Sequence, residues 1–152
     1  TQSLASSLDS RCRYSVMEAM QNMKAEYRCA YVAPGGRHML VRKQGKDVYI
    51  VVNDKPPEKG CRPSVNILFR SALPVYGGDV LAVILTGMGN DGTEGIKALK
   101  RAGACIIVQD EETSVVWGMP GSAYATGCVD QVVPLHEIPE AIYKLLNNIR
   151  KK

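Results

Sequence analysis

One stretch of this chain has the residue types and spacing for chemistry. From Val80 to Gly92 it reads VLAVILTGMGNDG, an apolar run with β-branched members, then glycines, then the start of a helical pattern. That order predicts a buried strand, a tight turn and a helix. In an open α/β sheet, ligands gather in the crevice beyond the carboxyl ends of the strands, and this turn lies at such an end. It carries one carboxylate, Asp91, at the mouth of the helix. A helix N-terminus stabilises negative charge through its free N–H groups and its dipole. Such an acid suits orienting a neighbouring group better than donating a proton. Read literally, Gly87, Gly89 and Gly92 also form G-x-G-x-x-G, with Asp110 closing the next strand, which is the dinucleotide fingerprint with its ribose-binding acid. Against that alternative, Asp91 puts negative charge where a pyrophosphate wants neutral donors.

The elements that must position this turn can be followed along the chain. Leu4, Ala5 and Leu8 share one face of a helix over residues 2–8. Arg13 to Val16 and Ala30 to Ala33 are short strands, with a turn or helix at Met17 to Met20. Residues 37–53 alternate about Gln44-Gly45-Lys46, with Met39 and Val41, then Val48, Ile50 and Val52, on one face of each arm, which predicts a hairpin. Residues 53–62 are a polar loop. Ser64 is placed to cap a helix striped by Val65, Leu68, Phe69, Ala72 and Leu73, which Pro74 and Gly77-Gly78 are expected to close. After the central strand come a helix from Asp91 to Ala102, a strand over 104–109, a loop over 110–114 and a short helix ending near Ala125. A strand over 128–133 and a terminal helix over 137–149 complete the order. Strands alternating with helices over residues 64–149 give a three-layer, doubly wound, mostly parallel α/β sheet, with the hairpin as an insertion.

Composition narrows the function classes. At 152 residues, the prior is one domain, and 45% hydrophobic with 22% charged residues excludes a disordered or fibrous chain. A net charge of +4 with few aromatics gives no basis for nucleic-acid binding, and Arg150-Lys151-Lys152 reads as a solvated basic tail. Five widely spaced cysteines without a C-x-x-C motif fit reduced, buried thiols in a cytoplasm and give no metal site. No apolar run approaches 18 residues, so no membrane insertion is expected.

Four blocks of the chain resemble the catalytic domain of the chemotaxis protein-glutamate methylesterase family, the CheB type. They are residues 31–39 (YVAPGGRHM), 62–65 (RPSV), 83–92 (VILTGMGNDG) and 115–120 (VVWGMP), in the family's order. The resemblance runs from residue 1 to about 147. It implies hydrolysis of glutamate γ-methyl esters, and in many members deamidation of glutamines, on methyl-accepting chemotaxis receptors. A Ser-His-Asp triad without a cofactor would do this, in a protein that can carry an upstream receiver domain. By position, the resemblance makes Asp91 the triad acid and Met88 the oxyanion-hole donor. Gly87, Gly89, Asn90 and Gly92 form the active-site turn around them. Arg62 and His38 are candidate substrate contacts.

The family's nucleophile stands in a Gly-x-Ser-x-Gly-like turn and its base in a Gln-His-Met segment; neither motif occurs in this sequence. His38 and His136 lie in other segments, His136 just before the last helix and expected at the surface. A triad improvised from Ser64, His38 and Asp91 is the alternative within the chain. The resemblance therefore implies a catalytic-domain fragment over 1–152, truncated at its N-terminus, that carries the acid and the oxyanion turn and is inactive alone. A non-catalytic relative that binds receptor or a signalling partner is the competing function. Asn66 departs from the family's usual aspartate, and Gly36-Arg37 from an acid-base pair.

Overall fold

The computed structural model describes residues 1–149, and the basic tail expected at 150–152 lies outside the described residues. The chain is α/β with parallel strand pairing and helices, and it divides into two compact units, residues 1–77 and the residues from Gly78 onward.

The first unit begins with α1 (Gln2–Asp9), of which Ala5 is buried while Leu4 and Leu8 stay exposed. Next come β1 (Ser15–Glu18) and β2 (Cys29–Val32), paired in parallel from Ser15↔Cys29 to Glu18↔Val32. β1 lies two residues later than the expected strand and continues into Met17 and Glu18, which were assigned to a turn or helix. Its start is fixed by a contact remote in sequence, the Val16 N–H donating to Asp9 Oδ1 at 2.7 Å. β3 (His38–Gln44) and β4 (Asp47–Asn53) form the hairpin, in register from His38↔Asn53 to Gln44↔Asp47. Gly45 turns it at φ 62°, the first central residue of a two-residue loop, where a glycine followed by almost any residue makes a II′ turn. Met39, Ile50 and Val52 pack with Ala19 as the unit's buried centre, against Met23, Tyr31, Ala33 and Leu68.

α2 (Val65–Tyr76) starts with Ser64 at its N-cap position in an extended conformation, as expected, but the Ser64 side chain makes no capping hydrogen bond. It does not stop at Pro74, however; the proline sits inside the helix and Gly77 ends it, its N–H donating to Leu73 C=O at 2.8 Å. A proline removes one helical hydrogen bond wherever it stands past the first turn, and any kink it imposes at Pro74 falls within a turn of the helix end at Gly77.

The second unit holds β5 (Leu81–Ile84), β6 (Cys105–Gln109) and β7 (Gln131–Val133), all parallel in the order β5-β6-β7. α3 (Thr93–Arg101) and α4 (Gly118–Tyr124) are the crossovers, and α5 (Ile138–Ile149) follows a 3-10 turn at Leu135–Glu137. β6 is central because its continuous apolar run permits burial of both faces: Ile106, Ile107 and Val108 have no exposure. Ile96 and Leu99 of α3 and Ala123 of α4 are likewise fully enclosed, whereas Leu146 of α5 is about half exposed. Asp130 ties the end of α3 to the sheet, pairing with Lys100 and accepting the Ile106 N–H at 2.8 Å. No described helix is long and apolar enough to cross a membrane.

The five thiols are all free, as expected, but they are not buried. Cys12 is exposed and Cys29, Cys61, Cys105 and Cys128 are half-buried, since all but Cys29 and Cys105 fall outside strands and helices and those two begin their strands.

Candidate active site

β5 delivers the glycine turn at its carboxyl end, and the backbone there is held from two sides. The Thr86 hydroxyl accepts the Val116 N–H at 2.8 Å and donates to Val116 C=O at 3.2 Å. The Gly87 N–H donates to the same carbonyl at 3.1 Å, and Gly87 C=O accepts the Met119 N–H at 2.7 Å. Residues 116–119 are thereby clamped over residues 86–89. The approach is so close that a Cβ on Gly118 would lie 2.7 Å from the Gly87 oxygen and 2.9 Å from the Gly89 nitrogen. The glycines thus serve backbone-to-backbone packing. Asp110, the acid of the dinucleotide alternative, spends Oδ1 on the Thr113 N–H at 3.0 Å.

The second support is Gln109, the last residue of β6, which has no exposure. Its Oε1 accepts the Thr86 N–H at 2.8 Å and its Nε2 donates to Thr113 C=O at 2.7 Å. One amide thus joins the end of β5 to the loop after β6. Gln109, Thr86 and Gly118 escape a motif-based reading. The signals for them were a polar residue closing an apolar strand and a glycine opening a short helix.

Within this frame the side chains alternate. Met88 is 84% exposed, and among the described residues no acceptor is bonded to its N–H. Gly89 turns the chain at φ 87°, and Asn90 remains exposed while its carbonyl accepts the Thr93 N–H and hydroxyl. Asp91 is 6% exposed, and its Oδ1 accepts the Gly92 N–H at 3.0 Å. The helix begins two residues later than the pattern implies: α3 starts at Thr93, with Gly92, at φ 97°, as its N-cap and Asp91 before it. Only glycine adopts that φ without strain, so Gly92 is needed to turn the acid inward. A buried, fixed carboxylate is what orienting an imidazole requires, and an unspent backbone N–H is what receives a developing oxyanion.

His38, a candidate substrate contact, is buried. It has no exposure, its Nδ1 accepts the Ser64 N–H at 3.2 Å, and its Nε2 lies 3.1 Å from Pro56 C=O, which makes Nε2 the protonated nitrogen. With both nitrogens held by backbone, the ring pins the loop before α2 to the start of β3, and it cannot serve as base in a triad with Ser64. His136 is exposed, as expected. Arg62 is exposed and uses Nη1 to hold the carbonyls of Asp54 and Lys55 at 3.1 and 3.3 Å. Asn66 is fully enclosed, where a neutral amide avoids the cost of burying the charge an aspartate would bring. Among the described residues no group of His, Cys, Asp and Glu is arranged to hold a metal ion.

The class that this fold and turn define is an α/β domain with a buried carboxylate in the glycine turn after a parallel strand. The model of the CheB methylesterase family matches residues 1–142, and the chain belongs to that family. It is 46% identical over 142 residues to the protein-glutamate methylesterase/protein-glutamine glutaminase 3 of Rhodopseudomonas palustris (strain BisB18), covering 93% of this chain and 39% of that protein. The enzyme of the same name from Pyrococcus abyssi is 43% identical over 150 residues, 99% of this chain and 41% of that protein. The crystal structure of the Thermotoga maritima CheB methylesterase catalytic domain superposes with a TM-score of 0.92 at 37% identity, over 95% of this chain and 77% of that one. The chain therefore spans about two fifths of the length of these curated relatives.

Proposed function

We propose that this chain contributes the acid and the oxyanion turn to an enzyme that hydrolyses glutamate γ-methyl esters, and deamidates glutamines, on methyl-accepting chemotaxis receptors in the cytoplasm. The observation that carries the reading is the pairing, within one short turn, of a buried carboxylate at Asp91 with the unspent N–H of Met88. The names borne by the relatives support the ester and amide chemistry.

In this mechanism a serine attacks the glutamyl carbonyl and a histidine takes its proton. Asp91 holds that histidine in the tautomer that presents its free nitrogen to the serine, and stabilises the imidazolium. The Met88 N–H receives the oxyanion. Methanol, or ammonia from a glutamine, leaves with the proton returned by the histidine, and water then releases the carboxylate. Neither the serine nor the histidine has a motif counterpart in these residues, so the chain alone releases no methanol. Gly87, Gly89, Asn90 and Gly92 set the turn, and the exposed side of Arg62 faces acidic groups of the receptor. The whole protein can carry an upstream receiver domain, and neither nucleic acid nor membrane insertion has a part.

The test is methanol release from a methylated receptor fragment. The chain by itself should give none. Joined to the serine- and histidine-bearing segment of a relative it should turn over, and Asp91→Asn in that protein should lower kcat about 10⁴-fold. Turnover by the chain alone, or an Asp91→Asn protein as active as its parent, sinks the assignment.

A further inference from the structure

Away from the glycine turn, the first unit encloses a solvent-open cavity of about 430 Å³. Its walls include Tyr27, Tyr31 and Tyr76, with the buried Met39 and Ile50 and the carboxylate-bearing Glu26. Three of the chain's seven tyrosines thus line one hollow, together with an acidic residue.

The fixed electrostatics of this hollow favour a cation. Each ring carries negative potential on its face. Tyr31 is held in place, its hydroxyl accepting the Glu26 N–H at 2.8 Å and donating to Lys24 C=O at 3.1 Å. Burial pushes that phenol above its ordinary value of 10, so it stays neutral as an acceptor of cations rather than becoming an ion itself. Tyr76 is the last residue of α2, which places the negative end of a helix at this wall. Tyr27 already demonstrates the interaction: the Arg28 guanidinium lies 5.5 Å from its ring centroid, within the range of a cation–π contact. The other nearby cation, Lys24, sits 3.1 Å from Asp47 and only 4.0 Å from Glu26, so its amine is engaged mainly outside the hollow.

We propose that this cavity binds a small quaternary or alkylated ammonium ion, with Tyr27, Tyr31 and Tyr76 presenting ring faces and Glu26 the countercharge. An anion meets the carboxylate and the helix end, and a neutral apolar molecule gains nothing from either. The site is independent of the hydrolytic reading.

The experiment is a titration of the 15N-labelled chain with tetramethylammonium and with choline, against 3,3-dimethylbutan-1-ol, which has choline's shape without its charge. A trimethyl-lysine amide serves as a further arm. Saturable shifts at residues 26, 27, 31 and 76 are expected for the cations, with the alcohol about three- to thirtyfold weaker. Choline bound more tightly than trimethyl-lysine identifies a free small molecule as the occupant, and the reverse a modified side chain; both support the site. Tyr27→Leu and Glu26→Gln, both at exposed positions that spare the fold, should each weaken binding, and Tyr27→Phe should restore it. Equal binding of the alcohol, shifts elsewhere only, or no saturation overturns the proposal.

Discussion

Replacing Gly118 by alanine probes the contact that holds the oxyanion turn. The new Cβ would stand 2.7 Å from the Gly87 oxygen, 2.9 Å from the Gly89 nitrogen and 3.2 Å from Met88 Cα. All three are backbone atoms, so no side chain can rotate away, and the two segments must part by up to roughly 0.8 Å to reach ordinary contact near 3.5 Å. Overpacking of this kind costs about 1–3 kcal/mol. Alanine returns up to about 1 kcal/mol by stiffening the unfolded chain. The contacts under 3.0 Å put the steric cost in the upper half of its range, which leaves a net loss of about 1–2 kcal/mol. At about 2–4 °C per kcal/mol for a chain of this size, Tm should fall by roughly 2–8 °C. Thermal unfolding read by circular dichroism measures this, and amide shifts of Gly87, Met88 and Gly89 locate it. Gly35→Ala is the matched control, since its Cβ would meet only the Thr1 side chain at 3.8 Å and should change stability by no more than about 0.5 kcal/mol. A Gly118→Ala protein as stable as its parent, with those three amides unmoved, would refute the reasoning.

Gln109→Leu keeps the volume but strands the Thr86 N–H and Thr113 C=O, and should cost about 1–3 kcal/mol for each group left unpaired, read by urea unfolding. His38→Leu removes the acceptor of the Ser64 N–H and the donor to Pro56. It should likewise destabilise by about 1–3 kcal/mol, while leaving the turnover of the joined enzyme described above unchanged in KM; a raised KM would return His38 to the substrate surface. For Tyr31, burial is the main cause of the raised phenol, Cys29 adds to it, and the Glu26 N–H on its oxygen opposes it. With the folded value above the unfolded one, its stabilising contribution is complete below about pH 10 and is lost as pH rises through the folded value. Absorbance at 295 nm should show a late-titrating component that is absent in Tyr31→Phe; a late component that persists in that variant speaks against it.

Much of the fold was written in local pattern. The apolar run of β6, the alternating arms about Gly45 and the stripe of α2 each have one good local solution, and the structure takes it. Failures came where a distant partner decides. β1 is set by Asp9, Pro74 stays inside a helix that ends within a turn of it, and His38 is buried because two backbone groups in a later loop claim its nitrogens. The turn at Asp91 was legible from its glycines and its place after a strand. Its clamp by residues 116–119 was not, since nothing in the spacing says that two glycine-bearing segments meet.

The joint at Gln109 has a consequence for working conditions. A carboxamide gains and loses no proton across the range in which cells live, yet it offers a donor and an acceptor together. Had an acid or an imidazole linked β5 to the following loop, acidification would have altered one of its two links. With glutamine there, the link from the Thr86 N–H to the loop after β6 keeps both its donor and its acceptor as acidity changes.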